Sequence, residues 1–111
     1  MRVIAGKAKG MKLRQVNSNA TRPITDRVKE SLFNIIGGGI KGSVMLDLFA
    51  GTGAFSFESL SRGALKATLV ENSSLMIDLI YKNAEKLKFT DKLIVFNENA
   101  YSFTNIHSDP K

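Results

Sequence analysis

No cysteine occurs anywhere in the chain, which excludes disulfides and any cysteine-ligated metal. A single histidine, His107, argues against a histidine-rich metal site. No apolar run approaches the roughly 20 residues that a membrane span needs. The start, MRVIAGKAKG, is charged without a following apolar stretch, so it does not read as a signal peptide. There is no internal repeat and no low-complexity tract. These absences leave a soluble, cytoplasmic protein without a resident metal or a membrane partner as the expectation.

What is present is enough for one small domain: 111 residues, 43% of them hydrophobic. The formal net charge of +6 is unevenly placed. Residues 1–30 carry Arg2, Lys7, Lys9, Lys12, Arg14, Arg22, Arg27 and Lys29 against only Asp26 and Glu30, while residues 31–111 are balanced. A clustered positive segment is the electrostatic footprint of a polyanion partner, although many mildly basic surfaces bind nothing. The same thirty residues hold no aromatic side chain, so they should grip phosphates rather than stack on bases.

Local patterns give an element order. RVIAGKAKGMKLR reads as a β-hairpin turning through Gly6 and Gly10, with Met11 and Leu13 at period-two spacing. QVNSNATRP reads as a loop. Thr25 or Asp26 can cap a helix that places Val28, Leu32, Ile35 and Ile36 on one face and ends at Gly37–Gly39. A strand follows over 44–48, then a glycine turn, then a helix to about Arg62 with Phe57 and Leu60 inward and Gly63 as its stop. A second strand over 67–70 ends at Glu71. Ser73 caps a third helix, along which Leu75, Met76, Leu79, Ile80, Asn83 and Leu87 recur, and 93–96 is a third strand. From residue 44 the order β-α-β-α-β implies an α/β fold with a parallel sheet.

The stretch VMLDLFAGTGAFSFESL carries the chemistry. A strand, a Gly-x-Gly turn and a helix form a nucleotide-type site at the carboxyl edge of a parallel sheet. Glu71, at the end of the next strand, can accept hydrogen bonds from ribose hydroxyls. A dinucleotide would prefer a third small residue in the pattern, but Ser56 stands there between Phe55 and Phe57. A pyrophosphate also has no use for a carboxylate at Asp47. S-adenosylmethionine carries an ammonium and a sulfonium and no phosphate, so Asp47 favours it. The plainer possibility for Asp47 is a carboxylate that only accepts from loop amides.

The same residues resemble the RsmD family, which methylates a guanine exocyclic amine in small-subunit ribosomal RNA. DLFAGTGAFSFESLSRGA is similar to its first methyltransferase motif, MRVIAGKAKGMKL to its N-terminal hairpin, and TRPITDRVKESLFNII to its second signature. The resemblance runs from Met1 to about Ala100. It implies the N-terminal half of a Rossmann-like, S-adenosylmethionine-dependent methyltransferase sheet, preceded by a β-hairpin and a helix. Residues 1–42 would then be a basic, RNA-facing segment and 43–111 a partial methyltransferase domain. Asp47, Phe49, Gly51 and Gly53 would frame the cofactor and Glu71 its ribose. Asn99 and Ala100 match a family Asp-Ala pair at the adenine, with Asn99 lacking the charge. Arg22, Asp26 and Arg27 would lie over the site mouth, and Lys7, Lys9, Lys12 and Arg14 would meet RNA phosphates. Asn83 also matches a family position, where helix packing is the expected role. The partner implied is ribosomal RNA or the assembling small subunit.

The family's acceptor motif, an Asp or Asn with two prolines and an aromatic, is absent. Asp109-Pro110 starts like it, but Lys111 follows, and little room remains after Asn99 for a further helix and strand. The expectation is therefore a partial copy of a longer enzyme, or a chain completed by a partner, with an exposed first-strand edge and uncovered apolar faces. Two other readings remain: a non-catalytic RNA-binding remnant, and a fragment of a nicotinamide-dependent oxidoreductase.

Overall fold

The structure, a computed structural model, describes residues 2–14, 26–48 and 50–107. The expected loop over 15–23, Thr25 and Phe49 therefore lie outside the described residues. After the N-terminal hairpin come α1 (Asp26–Ile36), a 3-10 turn (Gly37–Ile40), β1 (Val44–Asp47), α2 (Ala54–Ser61), β2 (Lys66–Glu71), α3 (Ser74–Leu87), β3 (Leu93–Asn97) and α4 (Ala100–His107). The strands pair in parallel in the order β1-β2-β3, with Asp47 opposite Leu69 and Glu71 opposite Asn97. Asp47, Glu71 and Asn97 thus all end strands at one carboxyl edge.

Strand alternation divides the sheet into two unlike faces. Ala67 and Leu69 of β2 point to the main core, where Phe57 and Leu60 of α2 meet Ile80, Ala84 and Leu87 of α3. The expected inward pair on α2 is therefore found. Ser73 caps α3 by accepting the Met76 N–H at 3.4 Å, as its position suggested, while Leu75 in the first turn is exposed. The opposite face is covered at one end by α4, through rings of Phe96 and Phe103 with centroids 5.2 Å apart. Elsewhere on that face Val44 is 70% exposed, Leu46 52% and Ile94 54%. Among the described residues β1 has no second neighbouring strand, so the anticipated open edge and apolar face are both present.

The hairpin closes with one antiparallel bridge, Arg2 to Lys12, and Val3 donates to the Met11 carbonyl at 2.9 Å. Its turn is bolted to α2 through polar atoms. Lys7 N–H donates to the Ser61 carbonyl at 2.8 Å, and the Ser61 hydroxyl accepts from Ala8 N–H at 2.9 Å and donates to the Ala5 carbonyl at 2.6 Å. Val3, Ala8 and Leu13 then enter the main core.

The reading of α1 needs correction. Its spacing put Val28, Leu32, Ile35 and Ile36 inward, but Val28 and Ile36 are about half exposed and Ile35 is 82% exposed. The buried positions are Lys29 and Phe33, one helical turn apart. Lys29 is fully buried because its ammonium donates to the Arg2 carbonyl at 2.7 Å and pairs with Glu58 Oε1 at 3.1 Å. Phe33 is held between Phe55, at a ring-centroid distance of 5.5 Å, and the Arg62 guanidinium, 4.7 Å above its ring. A tertiary ion pair, rather than the apolar stripe, decides which side of α1 faces in.

Helix α4 takes up the stretch after Asn99, where the sequence leaves little room for both a helix and a further strand. Asn99 starts it: its side-chain oxygen accepts from Ser102 N–H at 2.7 Å and its carbonyl from Phe103 N–H at 3.0 Å. Asparagine is a strong N-cap, and that signal was available.

Glu58 is the centre of the buried polar network. Its Oε1 also accepts from Ile4 N–H at 2.9 Å, and its Oε2 from Ala5 N–H at 3.1 Å and Arg62 Nε at 2.8 Å. Burial pushes its carboxyl up, but Arg62, the Ile4 amide, Lys29 and the Ala5 amide together hold it below the ordinary carboxylate value. A lowered folded-state value stabilises the protein above the unfolded pKa, and that stability is lost as pH falls through the folded one. Thermal or denaturant unfolding followed from about pH 6 to about pH 3 should therefore show falling stability. Glu58→Gln should flatten that slope and cost on the order of 3 kcal/mol at neutral pH, because it leaves Lys29 buried without its anion.

Gly6 offers a second test. It has φ +87° and a Cβ there would run into the Ser61 carbonyl, whereas Gly10 has φ +85° and open space. Gly10→Ala should cost about 1–2 kcal/mol for the left-handed conformation alone. Gly6→Ala should cost clearly more in the same denaturation experiment, the difference reporting the contact between hairpin and α2.

Candidate functional site

Strand β1 delivers Asp47 to the carboxyl edge, and the chain then turns through Gly51 (φ +54°) and Gly53 (φ +86°) into α2. Each glycine answers a different need. A Cβ at Gly53 would come within 2.6 Å of the Phe57 ring, so close helix packing requires glycine there. A Cβ at Gly51 would meet nothing within 4 Å, so the backbone there faces open space that a ligand can enter. The turn is tied to the next strand by Ala50 N–H, which donates to the Val70 carbonyl at 3.2 Å.

Glu71 lies at the centre of the edge. Its Oε1 accepts from Gly51 N–H at 2.8 Å, and its Oε2 accepts from Asn72 N–H at 3.1 Å and Ser73 N–H at 2.9 Å. One side chain thereby fixes both the glycine turn and the start of α3. A carboxylate has about four acceptor positions, so one on Oε1 remains for a ligand hydroxyl. Asp47 is half-buried, and its Oδ2 accepts from the Ser56 hydroxyl at 3.2 Å. The residue that breaks the dinucleotide pattern is thus fully buried and spends its hydroxyl on the carboxylate a pyrophosphate would reject.

Leu48, Val70, Glu71, Asn99, Ala100 and Tyr101 line a cleft of about 180 Å³ at this edge. The structure therefore brings Glu71, Asn99 and Ala100 to one cavity and joins Gly51 to it through Glu71. Asn99 commits its side-chain oxygen to capping α4. That leaves one acceptor position on the oxygen and the amide nitrogen as a donor, so Asn99 can meet either an amine or a ring nitrogen. Two carboxylates beside a glycine turn suit a ligand with hydroxyls and a positive charge, and disfavour phosphates.

The basic residues of the N-terminal segment are placed differently. Lys7, Lys9, Lys12 and Arg14 are exposed on the hairpin and Arg27 on α1, while Arg22 lies outside the described residues. Lys7 is bonded at the C-terminal end of α2, the end away from the glycine turn. Arg14 is nearer the turn through Asn83. That fully buried amide accepts from Arg14 N–H at 2.7 Å and donates to the carbonyls of Arg14 at 3.2 Å and Thr52 at 3.3 Å. Asn83 thus does more than pack α3, since it clamps the end of the hairpin to the glycine turn. The buried Lys29–Glu58–Arg62 network escaped sequence reasoning, which treats lysine and glutamate on helices as solvated.

Comparison with known proteins agrees with this geometry. The family described as Conserved hypothetical protein 95 matches residues 1–110. Ribosomal RNA small subunit methyltransferase D of Escherichia coli K12 is 43% identical over 103 residues, covering 93% of this chain and 52% of that protein. The enzyme of the same name from Haemophilus influenzae is 41% identical over 104 residues, 93% of this chain and 54% of its own. The solved structure of Escherichia coli yhhF, provisionally named a methyltransferase, matches with a TM-score of 0.82 and 41% identity, covering 93% of this chain and 55% of that one. The chain thus spans about half the length of the relatives it matches. Its sheet, turn and hairpin correspond to the N-terminal half of a Rossmann-like methyltransferase fold. On a match from residue 1 to residue 110 and identity above 40%, the chain belongs to the RsmD family, Conserved hypothetical protein 95.

Proposed function

We propose that this chain is the cofactor-binding half of an S-adenosylmethionine-dependent methyltransferase acting on guanine N2 of small-subunit ribosomal RNA. The observation that carries this reading is the pair of carboxylates, Asp47 and Glu71, ending adjacent strands beside an open glycine turn. Bound there, the cofactor would supply an activated methyl group on a sulfonium. Asp47 would hold the amino acid ammonium, Glu71 the ribose hydroxyls through its remaining acceptor position, and Asn99 and Ala100 would flank the adenine. Phe49, Gly51 and Gly53 would complete the frame. The chain's own contribution is orientation, which converts a bimolecular transfer into a positioned one. The basic segment 1–42 would face the RNA, in the cytoplasm, on ribosomal RNA or the assembling small subunit.

Calorimetric titration with S-adenosylhomocysteine should give micromolar binding by the folded chain. Asp47→Ala and Glu71→Ala should each weaken it at least tenfold, that is by about 1.4 kcal/mol or more, with the circular dichroism spectrum kept. A well-folded chain with no binding would sink the cofactor assignment.

The acceptor motif of the family has no counterpart in the sequence, so cofactor binding without transfer is the expected behaviour of this chain alone. Incubation with radiolabelled S-adenosylmethionine and small-subunit ribosomal RNA, followed by nucleoside analysis, should leave guanine N2 unlabelled. Label at that position would mean that other residues of this chain hold the base.

A further inference from the structure

Beyond the hairpin, the exposed side of α3 carries cations that the proposed function has not used. Lys82 and Lys86 are one turn apart on the helix and line, with Arg14 and Glu85, an open cavity of about 440 Å³. Lys86 also lines a neighbouring cavity of about 310 Å³ with Lys7 and Lys88. It is the shared wall of the two. The result is a continuous strip of five cations, drawn from the hairpin and α3, with Glu85 the one acid on its walls.

Three observations separate this strip from an ordinary solvated helix face. Among the described residues none of the five cations forms an ion pair. Like charges one turn apart on a helix destabilise it, by a few tenths of a kcal/mol at about 5–6 Å. Arg14 is nevertheless held beside them, because Asn83 grips both its N–H and its carbonyl. The helix dipole accounts for Lys86 in the last turn and Lys88 at the C-cap, whereas Lys82 lies one turn earlier and pairs with neither Asp78 nor Glu85, the acids within a turn of it. Repulsion that the fold builds in is relieved by a polyanion. The larger cavity is open and walled by flexible charged side chains, and the smaller one sets three lysines around Ala8, Met11 and Leu87, which suits a run of phosphates along a backbone rather than one enclosed phosphate.

We propose that α3 and the clamped end of the hairpin form a track for the phosphate backbone of the substrate RNA. This rests on the RNA reading above and extends it from the hairpin to Lys82, Lys86 and Lys88.

The test is fluorescence anisotropy of a fluorescein-labelled RNA stem-loop across a series of salt concentrations. Lys82→Ala/Lys86→Ala should weaken binding at least tenfold at low salt. It should also reduce the steepness of the log affinity–log salt plot by about one to two units. Lys66→Ala/Lys92→Ala removes the same charge at the start of β2 and just before β3, outside residues 1–42 and outside both cavities, and should change affinity less than about threefold. S-adenosylhomocysteine affinity and circular dichroism should be unchanged in both. If both double variants weaken RNA equally, α3 is no track, while RNA binding stands. If the unmodified chain binds no RNA, or binds only anionic phospholipid vesicles, both the track and the RNA reading fall.

Discussion

The rest of the structure depends on one buried carboxylate. Glu58 sits on α2 and takes four donors from three places: the amides of Ile4 and Ala5 in the hairpin, the ammonium of Lys29 on α1 and the guanidinium of Arg62 one turn along its own helix. A buried ion pair adds little net stability compared with a well-packed apolar core, but breaking it is costly. Its contribution is specificity of arrangement. Apolar contacts would let α1 roll about its axis, and its exposed Val28, Ile35 and Ile36 would compete for the interior. Only one orientation delivers Lys29 to Glu58. The same carboxylate seats the hairpin, so the placement of the basic segment relative to the sheet is polar in origin.

This explains how much could be read from the sequence and where reading failed. The strand, glycine turn and helix from Val44 to Ser61 follow local rules, and so do the Gly63 stop and the Ser73 cap. Each depends on residues a few positions apart. The functional candidates Asp47, Gly51 and Glu71 were equally legible, because a parallel sheet places successive strand ends side by side. The inward face of α1 was not. It depends on a partner 29 residues away, and periodicity cannot signal that a lysine will be neutralised. Asn99 has a second role that was missed for another reason. Read as a ligand contact, it was not weighed as a helix cap, and the structure uses its oxygen for the cap.

Around the candidate site, buried side chains of the helices also hold the residues at the strand edge and the glycine turn. Ser56 fills a buried position on α2 and anchors Asp47. Asn83 fills a buried position on α3 and holds the hairpin's end to the glycine turn through Thr52. The glycine turn and the basic segment are therefore mechanically joined, although Lys7 lies at the far end of α2. Val44, Leu46 and Ile94 leave apolar surface uncovered on the opposite face of the sheet, and Val28, Ile35 and Ile36 leave more on the outer side of α1.

The three amides that Glu71 accepts have an entropic meaning. A free glutamate has three rotatable bonds to immobilise before it can receive a hydroxyl, and freezing such a side chain costs on the order of 1 kcal/mol. Here Gly51, Asn72 and Ser73 have already fixed the carboxylate during folding. A ligand arriving at the edge meets an acceptor whose orientation is settled, so the free energy of its own hydrogen bonds goes into affinity rather than into ordering the protein.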